Sequence, residues 1–452
     1  MTATAKKEKI VILGGGIGAL TTAFALSQPG WQDRFESITI YQLGWRLGGK
    51  GASGRGQHHR IEEHGFHLWF GFYENAFRLI QQCYVELNRP PGSPLASWDE
   101  AFKKAPLISA EDRDASGWIN WVIPFPEDDR IPGVPDNHDR VWTAWHYIKR
   151  TCEVMYEIVR SIISENDTLS KFAVQKHQLW NNVHSDVTEL VDAVKKNVAK
   201  MPYTALAAAV ELVRSLAADV TTHSSDHHQL LLRLLDAYTD TLRGSLTGDR
   251  SIDDKIQRLV ILLDFSRVQI RGIVTDGLLT RPDGFSSIDH YEYSDWLQRH
   301  GASEDVLRSG VVRALYDSAF AYEDGDEAKR SMGAGIAVRC IAQMFFAYKG
   351  AVAWKMQAGM GDVVFAPLYL VLKQHGVRFR FFHRVKNLGL SADHRSIATV
   401  EMARQVDLVD ESEEYQPLFD VRFGDQGMLP CWPAEPLYEQ IRDGEKLHEY
   451  NL

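Results

Sequence analysis

Lys9-Ile10-Val11-Ile12-Leu13-Gly14-Gly15-Gly16-Ile17-Gly18-Ala19 is the stretch that decides how this chain reads. The β-branched Ile10, Val11 and Ile12 favour a strand. Three glycines break it, and residues 17–27 then carry helical patterning until Pro29 and Gly30 stop the helix. A second strand over 37–42 completes a βαβ unit within about thirty residues. The pattern G-x-G-x-x-(G/A) falls on Gly14, Gly16 and Ala19, with Gly18 between them. Gly14 permits the tight turn, Gly16 lets the backbone approach a pyrophosphate, and the small Ala19 lets helix and strand pack closely, with phosphates at the amino end of the helix. A lone glycine motif is a weak signal. Its place between a strand and a helix is what gives it weight.

The residue that ends the second strand and grips ribose hydroxyls is ordinarily acidic, and here it is Gln42. An amide can bond a hydroxyl without charge assistance, so the contact is weaker. Losing the carboxylate also removes what would repel a 2′-phosphate, and with Arg46 nearby an NADP-binding alternative stays open. Gly44-Trp45-Arg46-Leu47-Gly48-Gly49-Lys50 follows, supplying two cations where a pyrophosphate needs neutralising. This segment resembles the R-x-G-G-[RK] element of amine oxidases and carotenoid desaturases, in which the glycine pair passes close to FAD.

Ile61-Glu62-Glu63-His64-Gly65-Phe66-His67-Leu68-Trp69-Phe70-Gly71-Phe72-Tyr73-Glu74-Asn75 is similar to the E-x-G-x-H-x-x-F-G-x-Y-x-N stretch of phytoene and zeta-carotene desaturases, a branch of the amine-oxidase-like flavoproteins. The resemblance implies that His64, Gly65, Phe66 and His67 lie near the isoalloxazine ring, with His64 and His67 as the catalytic candidates. It resumes at Tyr293-Ser294-Asp295-Trp296-Leu297-Gln298-Arg299-His300-Gly301, similar to the S-D-W-x-x-x-H-G segment of zeta-carotene desaturases, and continues over 347–388. There Gly361 and Asp362 open an αβ unit with a helix over 363–375, a stop at Gly376 and a strand over 377–382. By the same resemblance the backbone around Val385 meets the adenine. The family also closes its flavin site with a carboxy-terminal strand and a glycine-rich turn-helix after a G-D motif. Gly424-Asp425 is such a pair, yet Met428-Leu429-Pro430-Cys431-Trp432-Pro433 follows it. The expectation is an incomplete sheet and a second polypeptide, either a separate subunit or the rest of a cleaved precursor, that completes the FAD site.

Between these segments the pattern is helical, with amphipathic stretches over 141–165, 179–200, 203–220, 229–246 and 252–278 and a further helical stretch over 303–360. The fold class is therefore α/β, a Rossmann-like FAD-binding domain with a large helical insertion or substrate domain. Its parts are 1–140 (FAD-binding), 141–360 (mainly helical, substrate side), 361–405 (return to the FAD-binding domain) and 406–452 (an acidic, loop-rich tail facing a second chain, with a short helix over 436–446). The reading requires the opening strand to lie inside a parallel sheet. The aromatics Phe345, Phe346, Tyr348 and Trp354 are either pocket lining or plain core.

Bulk properties agree. At 452 residues the chain exceeds what one core usually serves. Fifty basic against sixty acidic residues give a net charge of -10, with no basic block interleaved with aromatics, which argues against nucleic acid. Cys83, Cys152, Cys340 and Cys431 are scattered, so neither a zinc cage nor a disulfide framework is indicated. No secretory signal opens the chain, and the apolar stretch over 335–354 contains Arg339 and Lys349, costly at bilayer depth. A cytoplasmic protein with at most peripheral membrane contact is expected. The function expected is FAD-dependent hydride abstraction from a C–H bond of a small organic substrate, lipophilic for a desaturase. The alternatives are a non-catalytic or regulatory subunit that has lost flavin, or an NADP-dependent reductase.

Overall fold

The structure, a computed structural model, describes residues 7–65, 67–114, 117–125, 127–135, 143–164, 202–216, 220–243, 250–410 and 414–449. Phe66 and the helix expected over 179–200 lie outside them. The chain divides into two compact units, one of Met1–Pro106, Pro126–Pro135 and Lys349–Leu452, the other of Leu107–Phe125 and Asp136–Tyr348.

In the first unit the opening strand β1 (Glu8–Leu13), the helix α1 (Ile17–Leu26) and the strand β2 (Phe35–Tyr41) form the expected βαβ unit. Parallel pairing runs from Lys9 opposite Ser37 to Leu13 opposite Tyr41. The helix buries Leu20, Ala23 and Phe24, the i, i+3, i+4 positions of one face. The αβ unit also forms, with a difference at its start. Gly361–Phe365 makes a π turn before the regular helix Ala366–Gln374, and Gly376, at φ 84°, turns the chain into the strand Arg378–Arg380. That strand pairs in parallel with β2, Phe379 opposite Ile40. Ile38, Ile40 and Phe379 are buried together with α1 and the helix Ala366–Gln374 in one apolar core.

The order in this sheet does not meet the requirement that the opening strand lie inside a parallel sheet, which leaves the turn after β1 and its parallel pairing with β2 to carry the reading. The central strand is β2, and β1 is an edge among the described residues. Arg378–Arg380 joins β2 on its far side, so the return of the chain to the sheet gives β1 no second neighbour.

Residues 347–360 also differ from expectation. The helix Ala334–Phe346 stops, Gly350 takes φ 73°, and Ala353–Met356 is a strand between Trp69–Phe70 and Phe102–Ala105. The tail is not simply loop. Phe419–Arg422 and Met428–Cys431 pair as a hairpin whose turn holds Gly424 and Asp425, and the closing helix is Gly444–Glu449 rather than 436–446.

The second unit is mainly helical, with Ala144–Ser164, Pro202–Ser215, Ser225–Arg243 and Arg250–Thr275 close to the positions read from periodicity. It also contains the antiparallel hairpin Leu107–Asp114 and Gly117–Pro124, which periodicity did not reveal. Among the described residues no helix is long and apolar enough to cross a membrane.

Candidate nucleotide site

The turn after β1 is built almost entirely from backbone. Gly14 takes φ 92°, open to glycine at no steric cost, and its N–H donates to the Tyr41 carbonyl at 2.7 Å, tying the turn to the end of β2. Gly15 is buried, and a Cβ there would meet Leu47 Cδ2 at 2.3 Å and Gln42 Oε1 at 2.8 Å. Both glycines are required by the chain itself.

Gly16 and Gly18 are different. Gly16 has an ordinary φ of -74° and caps α1, while Gly18 lies within the helix, and a Cβ on either would meet nothing within 4 Å. Glycine inside a helix costs roughly 0.5–1 kcal/mol relative to alanine, so the fold would gain from a side chain at Gly18. At its amino end α1 has no side-chain cap and no acidic residue in its first turn. Its first N–H groups and the positive end of its dipole therefore face open space, an arrangement suited to an anion.

The glycine-rich loop is brought against this turn. The Gly48 N–H donates to the Gly15 carbonyl at 2.9 Å, Gly48 forms a parallel bridge to Gly16, and a Cβ on Gly49 would stand 3.3 Å from Gly16 Cα. Gly48, at φ 119°, could carry a Cβ only 2.7 Å from Ala52 Cα. Lys50 is exposed and forms no ion pair with any described residue. Arg46 lies over the Trp45 ring and stands 3.4 Å from His64 Nε2. Burial pulls its guanidinium below the ordinary value while Glu62 acts the other way, and an arginine so placed still keeps its charge. Gln42 follows β2, as expected, but its amide donates to the adjacent Leu43 carbonyl and its oxygen sits under Gly15.

The histidine segment is placed by contacts that sequence reasoning missed. Glu63 pairs with Nδ1 of His67 and accepts the Met360 N–H at 2.8 Å. His64 and Gly65 are exposed. One strand away, Ser53 accepts the Gly361 N–H at 2.6 Å, and Arg55 is held by Asp362 at 2.7 Å in a largely buried ion pair. Burial raises the Asp362 carboxyl above its usual range, with Arg55 opposing. Gly361-Asp362 was legible as a turn, but its partners, some 300 residues earlier, left no local signal. The tail reaches the same place. Arg55 donates its N–H to the Trp432 carbonyl at 2.7 Å, and Trp45 Nε1 donates to that of Pro433 at 3.3 Å. Val385 lies on the strand His383–Leu390, 39% exposed, two residues beyond His383, whose N–H donates to the Gln42 carbonyl at 2.9 Å.

In the second unit, the segment of the S-D-W motif is a buried knot. Trp296 Nε1 donates to Asp276 at 2.8 Å, His300 Nε2 stands 3.1 Å from the same oxygen, and Gly272 leaves the space that Trp296 fills. Phe345 and Phe346 pack on Phe125 and Tyr147 there, whereas Trp354 belongs to the aromatic core of the first unit with Phe77. A cavity of about 400 Å³ in the second unit is lined by Tyr147, Phe285, Ile336, Arg339 and Gln343 among others. Among the described residues no cluster of side chains could hold a metal ion.

Residues 12–83 match the family of NAD(P)-binding Rossmann-like domains. Zeta-carotene desaturases of Solanum lycopersicum and Capsicum annuum are 35% identical to this chain over 85 residues, as is that of Arabidopsis thaliana. The matched stretch spans 18% of this chain and only 13–14% of the length of those relatives. The family match covers the turn, α1 and β2 of this geometry: the amino-terminal part of the chain is a Rossmann-like domain within an α/β fold that carries a large helical region, and part of the chain is similar to zeta-carotene desaturases.

Proposed function

We propose that this chain binds FAD by its diphosphate at the Gly14–Ala19 turn and serves an oxidoreductase acting on a C–H bond of an organic substrate, in the manner of desaturases or amine oxidases. The observation that carries the reading is the bareness of Gly16 and Gly18. Among the described residues nothing outside the helix's own backbone lies within 4 Å of a Cβ at either, and in this reading the space above them serves a ligand. The uncapped amides of α1 bind the diphosphate and Arg46 and Lys50 neutralise it, while Gln42, its amide turned onto the Leu43 carbonyl, stands at the end of β2 without a carboxylate. Gly44, Gly48 and Gly49 let the second loop pass close beside it. Glu63 holds His67 by its Nδ1, and in this reading the His67 ring stands at the flavin end of the site. FAD, when bound, supplies the hydride acceptor, and the protein contributes position and exclusion of water. Among the described residues β1 is an edge strand, and in this reading a second polypeptide completes the site.

A yellow preparation that releases FAD on denaturation is the expected result. A colourless complex that binds neither FAD nor its ADP half defeats the reading. One observation favours a second reading, an NADP-dependent reductase. With Gln42 turned onto Leu43, no carboxylate at the end of β2 repels a 2′-phosphate. NADPH binding tighter than FAD at the same turn would select it.

A further inference from the structure

A π turn closes its hydrogen bonds one residue later than an α-helix, an uncommon arrangement that recurs at functional sites. Gly361–Phe365 is such a turn, and all five of its residues are buried. Groups from much earlier in the chain hold it. The Tyr84 hydroxyl donates to the Val363 carbonyl at 3.1 Å, and Ser53 accepts the Gly361 N–H at 2.6 Å. Arg55 donates to Asp362 at 3.0 and 2.7 Å, and the same carboxylate oxygen accepts the Gly359 N–H at 3.1 Å. Gly361 leaves no room for a side chain, since a Cβ there would stand 2.7 Å from the Ser53 carbonyl oxygen. The turn is thus fixed before its last residue, Phe365, is placed.

Phe365 is 1% exposed, and its ring lies against the second glycine loop. A Cβ on Gly48 would stand 3.0 Å from Phe365 Cδ2, and one on Gly51 would stand 3.2 Å from the ring and 3.3 Å from Met360 Cε. On its other side the loop meets the nucleotide turn, through Leu47 against Gly15 and Gly49 against Gly16. The segment Leu47–Gly51 is therefore confined between the Gly14–Gly16 turn and the Phe365 ring. We propose that Phe365 is a positioning residue for nucleotide binding: from its place in the π turn it sets the Gly48–Gly51 loop against the Gly14–Gly16 turn, fixing the shared backbone surface without touching the ligand. Close-packed interiors transmit such a displacement rather than absorb it. The flat ring reaches Gly48 and Gly51 at once, and the missing Cβ atoms of both let it do so. The inference rests on the functional reading only in naming the nucleotide; the clamp is a property of the chain.

The test uses the full chain and compares Phe365→Leu with Phe77→Leu. Phe77 is a fully buried ring of the same core that packs on Trp69, Phe102 and Trp354 instead of the loop. Both variants should lower the melting temperature. Only Phe365→Leu should speed hydrogen exchange of the Gly48 amide about tenfold or more, and only it should weaken ADP binding about tenfold or more. Gly51→Ala reads the same contact from the loop side without opening the core, and Gly51 has no left-handed φ to be strained. Alone, it should crowd the ring and weaken ADP binding. Combined with Phe365→Leu it should restore most of the affinity, because the new methyl occupies space the ring has left, a rescue that a merely structural ring would not show. Unchanged exchange at Gly48 in Phe365→Leu, equal loss of ADP affinity in the two leucine variants, or additive losses in the double variant overturns the proposal. A parent that binds neither ADP nor FAD defeats the nucleotide reading, and faster Gly48 exchange in Phe365→Leu alone then still upholds the clamp.

Discussion

Gly48 donates its N–H to the carbonyl of Gly15 at 2.9 Å, so two glycine-rich segments more than thirty residues apart in sequence form one backbone surface. Only at some of its glycines does this surface serve the fold. Alanine at Gly48, with φ 119° and a backbone atom 2.7 Å from the new Cβ, should cost about 1–3 kcal/mol. Gly16→Ala should leave the melting temperature within a degree or two of the parent, by roughly the tolerance of surface substitutions, yet weaken ADP binding about tenfold or more. Thermal unfolding and ADP titration of the two variants separate a structural glycine from a ligand-facing one.

Charge at the turn should be felt as affinity with a salt dependence. Arg46→Ala and Lys50→Ala should each weaken ADP or FAD binding about tenfold, ~1.4 kcal/mol, in the range of a hydrogen bond to a charged group. The effect of Lys50, exposed to solvent, should shrink as ionic strength rises. Titrations at low and high salt check this, and equal affinities for parent and variants at low salt would count against a diphosphate beside these cations.

Much of the nucleotide turn was legible because its causes are local. β-Branched residues, three glycines and an amphipathic run fall within about thirty residues, and β1, α1 and β2 sit where they were expected. The contacts that fix the site are long-range. Arg55 with Asp362, Ser53 with Gly361 and Glu63 with Met360 join segments about 300 residues apart, and neither periodicity nor turn chemistry encodes such pairings. The edge position of β1 is of the same kind, since local pattern identifies a strand but not its neighbours. The hairpin Leu107–Asp114 with Gly117–Pro124 escaped because the domain boundary was drawn from the onset of helical patterning further along the chain.

Arg55 and Asp362 should behave as a buried pair. Asp362→Ala leaves the guanidinium without its partner and should destabilise the first unit by about 3–5 kcal/mol, whereas Arg55→Met with Asp362→Leu should recover much of that loss. Urea denaturation of the single and double variants gives the coupling. Additive losses would mean that the pair does not act as one.

The second unit should lose stability in mild acid through a histidine pair. His228 is half-buried, and its ring is held below the ordinary histidine value, first by burial and then by His223 and His227. His223 Nδ1 stands 3.3 Å from His228 Nε2 and packs on Trp145. A lowered folded value means that the unfolded chain takes up the proton first. The contribution is therefore intact above the ordinary histidine range and is lost as pH falls from about 6.5 through the folded value. His228→Gln should flatten the pH dependence of unfolding over that window. An unchanged slope would remove this pair as its source.

The most direct measurement of the central claim is competition binding to the purified protein, with FAD displaced by ADP and the titration repeated on Gly16→Val. The account predicts that FAD and ADP compete for one site, and that Gly16→Val abolishes both while the circular dichroism spectrum and melting temperature stay those of the parent. Failure of ADP to displace FAD, or undiminished binding by a folded Gly16→Val protein, would contradict it.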